Sequence, residues 1–289
     1  MSREFILLTD TGCDLDDEYL KENDIKIINL GYNINEVDYS GESNNDLDIS
    51  EFYTMLKEGA MPKTSQINVG VAKMHLEKYL KQKKDILVIS FSSGLSGTFN
   101  SYNIAINELN EEYENKVYVV DSLCASLGQG LFLDYIVKYA DQGKSIMEVI
   151  DYAEDLKLKI RLEFTVDDLF HLKRGGRVSA ATAIVGSLMG IKPILHVNNE
   201  GKLIAIDKVR GRRASLKHLA NLFKEHNDIN EEEPVFISHG DSIEDAKLLK
   251  QFILDIKPNT NVYINYIGPV IGSHAGQGTI ALFYKGKER

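Results

Sequence analysis

The sequence predicts a two-domain α/β protein, with a Rossmann-like parallel-sheet domain over residues 1–160 and a second α/β domain with a mixed sheet over 161–289. Three observations carry that reading. In the first half, apolar strand-like runs alternate with amphipathic helical segments, the pattern of βα units around a parallel sheet. From Ile160 the texture changes to glycine-punctuated segments. The 289 residues also exceed the size at which one hydrophobic core usually stops growing.

The elements follow in order. Phe5 to Thr9 reads as a strand, Asp14 to Asn23 as a helix and Ile25 to Leu30 as a strand. The polar stretch Ser40 to Asp48 reads as a loop. Pro62-Lys63-Thr64-Ser65-Gln66 precedes an amphipathic helix with Val69, Val71, Met74, Leu76 and Leu80 among its apolar positions, so Thr64 or Ser65 is placed to cap it. Ile86 to Ser90 is a strand followed by a helix from about Thr98, and Val117 to Val120 a strand followed by a helix over Leu123 to Ala140. In the second half, strands are expected at Ile191 to Val197, Lys202 to Val209, Val235 to Ser238 and Ile280 to Tyr284. Helices at Arg212 to His226 and Ile243 to Asp255 are expected to cover one face of that sheet.

Composition narrows the function. Hydrophobic residues make up 43% and charged residues 26%, the balance of an ordinary globular protein. A net charge of -10 argues against nucleic acid as a partner, because phosphate-backbone affinity is supplied by Lys and Arg. The opening apolar run is too short for a signal peptide and no stretch approaches membrane-spanning length, so the expected location is cytoplasmic, without stable membrane insertion. Cys13 and Cys124 read as two free thiols of a reducing compartment, and without nearby His partners they make no metal site.

Two hydroxyl-bearing turns carry the main chemical signal: Pro62 to Gln66, and Ser92-Ser93-Gly94-Leu95-Ser96-Gly97-Thr98 after the Ile86 to Ser90 strand. Each is expected at a helix N-terminus, where unpaired N–H groups and added hydroxyl donors suit a carboxylate or phosphate. Simple helix capping is the plain alternative. Gly94 to Thr98 nearly matches the hydrolase elbow G-x-S-x-G, but Thr98 stands where the last glycine belongs. Gly143-Lys144-Ser145 resembles the end of a phosphate-binding loop, yet Lys138 replaces its first glycine and a helix precedes it. Asp10 and Asp121, at strand ends, read as turn residues accepting backbone N–H groups.

The second half adds Lys173-Arg174-Gly175-Gly176-Arg177, positive charge with glycines that permit close backbone approach, able to meet a ligand anion or an acidic partner. Arg210, Arg212 and Arg213 form another cationic cluster, assigned to the surface. His274, among Gly272, Gly276 and Gly278, is expected on an exposed loop where its imidazole donates to a ligand anion. His239, at a strand end, is the weaker candidate.

Taken together these segments resemble the DegV family. Thr9-Asp10, Pro62 to Gln66, Ser92 to Thr98, Asp121-Ser122, Lys173 to Arg177, Val209 to Arg212, His239-Gly240-Asp241 and Ile267 to Gly278 follow in the family's order over nearly the whole chain. The sequence departs from the pattern at Thr11-Gly12-Cys13, at Ile67-Asn68 and at Gln277. The resemblance implies a carrier, not an enzyme by itself, similar to the binding subunit of bacterial fatty acid kinase. Such a carrier holds a long-chain fatty acid in an interdomain tunnel. It presents the carboxylate to a separate ATP-dependent kinase subunit, and an acyltransferase uses the acyl phosphate for phospholipid synthesis. No cofactor or metal is implied beyond the fatty acid as ligand. By matching motifs, Thr64 and Ser96 are the carboxylate contacts, Ser65, Ser93 and His274 stand second, and Arg174 or Arg177 supplies a further contact or docks the partner. Two other functions remain open on the residues alone: a serine esterase or acyltransferase using Ser96 with His274, and a sensor of a small phosphorylated ligand.

Overall fold

A computed structural model of the chain describes residues 3–39, 47–178 and 190–289. Most of the loop expected over 40–48 therefore lies outside the described residues.

The first half opens with β1 (Ile6–Asp10), a 3-10 turn at Thr11–Cys13, α1 (Asp17–Glu22) and β2 (Ile25–Ile28). Asp14 interrupts the helix expected from Asp14 onward: its φ of 53° is left-handed, a backbone state that cannot be continued as a right-handed helix. Next come β3 (Gly31–Ile34), β4 (Val37–Tyr39), α2 (Ile49–Lys57) and β5 (Lys63–Ser65). The half is completed by α3 (Val69–Leu80), β6 (Ile86–Ser90), α4 (Thr98–Glu112), β7 (Val117–Asp121), α5 (Leu127–Ala140) and α6 (Ile146–Leu156). Strands β2-β1-β6-β7 form a parallel sheet, and β4-β3-β5 a small antiparallel one. β1 and β6 are buried at every position because both faces are covered, and each is apolar up to the polar residues at its carboxyl end. Leu8, Ile86 and Val88 pack with Leu76 and Tyr102 of α3 and α4, while Leu7, Leu87 and Ile89 pack with Leu131 and Ile136 of α5.

The second half contains β8 (Ile160–Thr165), α7 (Phe170–Arg174), β9 (Ile191–Val197), β10 (Leu203–Arg210), α8 (Arg212–His226), β11 (Val235–His239), α9 (Ile243–Ile256), β12 (Val262–Tyr266), α10 (Pro269–Ala275) and β13 (Ile280–Lys285). Its six-stranded sheet, in the order β10-β9-β8-β13-β11-β12, is mixed: only β11 and β12 pair in parallel. The α/β class, with a parallel and a separate mixed sheet, is as the sequence predicts.

Helices cover both faces of the mixed sheet, not one. Leu216, Leu219 and Phe223 of α8 and Leu249 and Ile253 of α9 cover one side. The other side receives α5 of the first half, which touches β8, β11 and β13. Sandwiched between two sheets, α5 exposes little beyond Lys138. It also starts later than the expected Leu123, because Leu123 and Ser126 hold φ of 52° and 54°.

Candidate functional site

Where α5 and the two sheets diverge, they leave a cavity of about 210 Å³. Most of its wall is apolar: Leu30, Phe91, Leu162, Phe164, Val197 and Phe283 contribute from both halves. Thr64, Ser65, Gln66, Ser96, Arg177 and His274 supply polar groups.

Thr64 reaches this wall from a strand, not from a helix cap. β5 pairs with β3 in the register Gly31 to Ser65, Tyr32 to Thr64 and Asn33 to Lys63, and the side chain that caps α3 is Asn68, accepting from the Val71 N–H at 3.0 Å. The expectation that Thr64 or Ser65 caps that helix is therefore corrected. A β-branched threonine suits the pleated strand, and Asn68 sits at the proper offset from the first helical residues.

The second turn does lead into a helix. α4 begins at Thr98 with Gly97 as its N-cap, which offers no side-chain acceptor. Ser96 Oγ lies 3.0 Å from Thr98 Oγ1 and accepts weakly from the Thr98 N–H at 3.3 Å. Gly97 is required by close approach: a Cβ there would fall 2.3 Å from Gln66 Oε1. Gln66 in turn donates from Nε2 to Ser101 Oγ at 3.1 Å, tying β5 to α4.

His274 joins from the last turn of α10, a seven-residue helix with Pro269 at its start. It is half-buried, where an exposed loop was expected, because this helix packs its ring against the glycine loop. Nε2 lies 2.8 Å from Thr64 Oγ1, while Nδ1 is buried without a partner, in a place where a Cβ on Gly175 would come within 2.1 Å. Burial pushes the imidazole down to about 4, and the neighbouring charges of Arg177 and Arg174 push it the same way. At neutral pH the ring is uncharged. Arg177, the one Lys or Arg on the described cavity wall, donates from Nε to Leu95 O at 3.3 Å and from Nη1 to Gly175 O. It thereby joins the serine-rich turn to the glycine loop.

Two predicted site residues stand off the wall. Ser93 is exposed, its N–H donating to Asp121 Oδ1 at 3.2 Å. Arg174 packs over the Phe170 ring, 5.6 Å from its centroid. Ser96 and His274, the pair an esterase would need, each bond a threonine instead. Asp10 accepts from the Phe91 and Gly12 N–H groups, and Asp121 from those of Ser93 and Leu123, as turn residues do. His239 packs against Tyr266 with the two rings tilted by 51°, off the cavity wall. Sequence reasoning passed over Gln66, although it lies in a quoted motif. It also passed over Ser126, whose place on the wall depends on partners distant in sequence.

Cys13 and Cys124 are buried and unpaired. Among the described residues, no cluster of His, Cys, Asp or Glu is arranged to hold a metal ion. No described helix is long and apolar enough to cross a membrane.

The family model described as "Uncharacterised protein, DegV family" matches residues 4–287. The chain belongs to the DegV family. A DegV domain-containing protein of Clostridium perfringens is 42% identical over 285 residues, covering 98% of each chain. One from Lactococcus lactis is 35% identical over 281 residues, 96% of each. Among solved structures, the DegV protein of Bacillus subtilis, described as a fatty acid binding protein, is 30% identical with a TM-score of 0.83, covering 99% of this chain and all of that one. A DegV family protein from Thermus thermophilus, described by its fatty acid binding, superposes with a TM-score of 0.85 at 27% identity, over 98% of this chain and all of that one. The two-sheet architecture is thus that of the DegV fold.

Proposed function

We propose that this DegV protein binds one long-chain fatty acid in the cavity, with the acyl chain against the apolar wall and the carboxylate among Thr64, Ser96, His274 and Arg177. The observation that carries this reading is the composition of one cavity: an apolar wall built by both halves, with hydroxyls, a neutral imidazole and one guanidinium on it. At about 0.8 kcal/mol per buried methylene, a long chain brings on the order of 10 kcal/mol of gross transfer energy, reduced by the costs of association. The polar groups keep a desolvated carboxylate from going unpaired, which is where specificity for an acid over a neutral lipid arises. The relatives described as fatty acid binding proteins support the same ligand class.

The protein acts on this reading as a carrier. A separate ATP-dependent fatty acid kinase phosphorylates the presented carboxylate, and the acyl phosphate passes to an acyltransferase of phospholipid synthesis. The stretch from Lys173 to Arg177, the end of α7 and the glycines after it, has Lys173 exposed and Arg177 on the cavity wall and is the cationic segment suited to dock such a partner.

Native mass spectrometry of the purified protein tests the ligand. A mass increment of one fatty acid, lost after delipidation and regained with oleate, is expected. No increment under either condition overturns the proposal.

A further inference from the structure

One polar group on the cavity wall has no task in holding a head group. Ser126 lies at the start of α5, between the two halves. Its neighbourhood is the apolar side of the cavity. Gly128, one step along α5, packs on Leu162 and Phe283, and Ser238, the hydroxyl partner of Ser126, pairs across the sheet with Ala281. Leu162, Ala281 and Phe283 all line the cavity. Ser126 nonetheless carries a hydroxyl there, and holds it in a backbone conformation, φ 54° and ψ -148°, that only glycine adopts freely.

That hydroxyl is anchored from behind. Ser126 Oγ lies 2.5 Å from Asp14 Oδ2 and 3.0 Å from Ser238 Oγ. Ser126, Asp14 and Ser238 are exposed by only 4%, 7% and 0%. Asp14 is itself fixed, its carboxylate accepting from the Gly268 N–H and its carbonyl from Asn265 Nδ2 at 3.0 Å. A serine hydroxyl has one hydrogen and two acceptor sites. Ser126 Oγ stands as the donor toward both, and with Asp14 ionised its single hydrogen goes to that carboxylate. Neither contact uses the acceptor sites of the Ser126 oxygen, and a group in the cavity that can donate a hydrogen bond satisfies them.

Resting on the fatty-acid reading, we infer that Ser126, oriented by Asp14 and Ser238, is a specificity residue that accepts a hydrogen bond from a hydroxyl borne along the acyl chain, so that hydroxy fatty acids are a preferred ligand class. A ketone at the same carbon has the polarity but no hydrogen to give, so hydroxy and keto acids should be told apart.

The test uses the delipidated full-length chain at pH 8, above the value of about 7 to which burial raises Asp14. Displacement of a fluorescent fatty acid is measured with octadecanoic acid, with a series of octadecanoic acids hydroxylated at successive mid-chain carbons, and with the matching keto acids. At one chain position the hydroxy acid should bind about tenfold more tightly than its keto counterpart, the worth of one well-made buried hydrogen bond. Ser126→Ala and Ser126→Gly should each bring that ratio near one, the glycine variant also relieving the backbone and so guarding against misfolding. A merely structural role for Ser126 shifts all three classes of acid together and leaves the ratio unchanged, and that result overturns the inference. So does a wild-type protein that never distinguishes hydroxy from keto acid. If octadecanoic acid itself fails to bind, the fatty-acid reading falls first and this assignment with it.

Discussion

Replacing Thr64 with valine isolates the head-group contribution. The substitution keeps a β-branched side chain on β5 but removes Oγ1, the atom 2.8 Å from His274 Nε2. On the proposed reading that hydroxyl donates to the fatty-acid carboxylate, and a hydrogen bond to a charged group contributes about 1.5–3 kcal/mol. The affinity for oleate should fall about 10- to 100-fold. Binding should persist, because burial of the acyl chain contributes several times as much. The assay is displacement of a fluorescent fatty acid from delipidated protein, run in parallel with methyl oleate, which has no carboxylate to lose. The preference for oleate over its ester should shrink in Thr64→Val. Ser93→Ala is the control, since Ser93 is exposed and off the wall. An oleate affinity for Thr64→Val within about twofold of wild type, or an equal loss in Ser93→Ala, would refute the reasoning.

Gly175→Ala should weaken oleate binding with little change in melting temperature: the backbone there has a helical φ of -70° that alanine accepts, but its Cβ would displace the His274 ring. Unchanged affinity would contradict the placement of His274. Asp14 titrates at about 7 because burial favours its neutral form, so its contribution to stability is complete below about pH 4 and is lost as pH rises through 7, by on the order of a few kcal/mol. Asp14→Asn, tolerated in the left-handed conformation, should gain on wild type in urea unfolding between pH 5 and pH 8, about the two sides of that titration. A pH-independent difference would contradict this. A chromogenic acyl ester should not be turned over, since Ser96 and His274 are bonded to Thr98 and Thr64. Turnover abolished in Ser96→Ala would revive the esterase reading. Loaded protein mixed with a bacterial fatty acid kinase subunit and ATP should yield acyl phosphate, trapped as a hydroxamate, and Arg177→Ala should lower the yield. No hydroxamate with several such kinases would count against the carrier role.

The parallel sheet was legible because its central strands begin as compact apolar runs, Ile6 to Leu8 and Ile86 to Ile89. Ile86–Ser90 has the bounds expected from sequence, as does Ile191–Val197 in the mixed sheet. β8 was not legible, since Arg161 and Glu163 break the run and are accommodated in the interior by pairing with each other at 2.8 Å, with Arg161 also donating to Glu288 O. Likewise β5 is three residues long and exists through its pairing with β3, a tertiary contact that local pattern does not encode. Thr64, Ser65, Ser96, Arg177 and His274 line one cavity, and the motif chemistry pointed to each. The surroundings of His274 were misread because its glycines suggest a loop, whereas Pro269 starts a short helix that presses the ring against Gly175. Ser126 was invisible for a related reason: its significance lies in Asp14 and Ser238, each far away in the chain.

A crystal structure of the delipidated protein soaked with oleate tests the central claim most directly. Carboxylate oxygens within hydrogen-bond reach of Thr64 Oγ1 and Ser96 Oγ, with the acyl chain along Phe164 and Phe283, are the expected result. Oleate lying reversed, with its head group away from those two hydroxyls, or bound only outside the cavity, would contradict it.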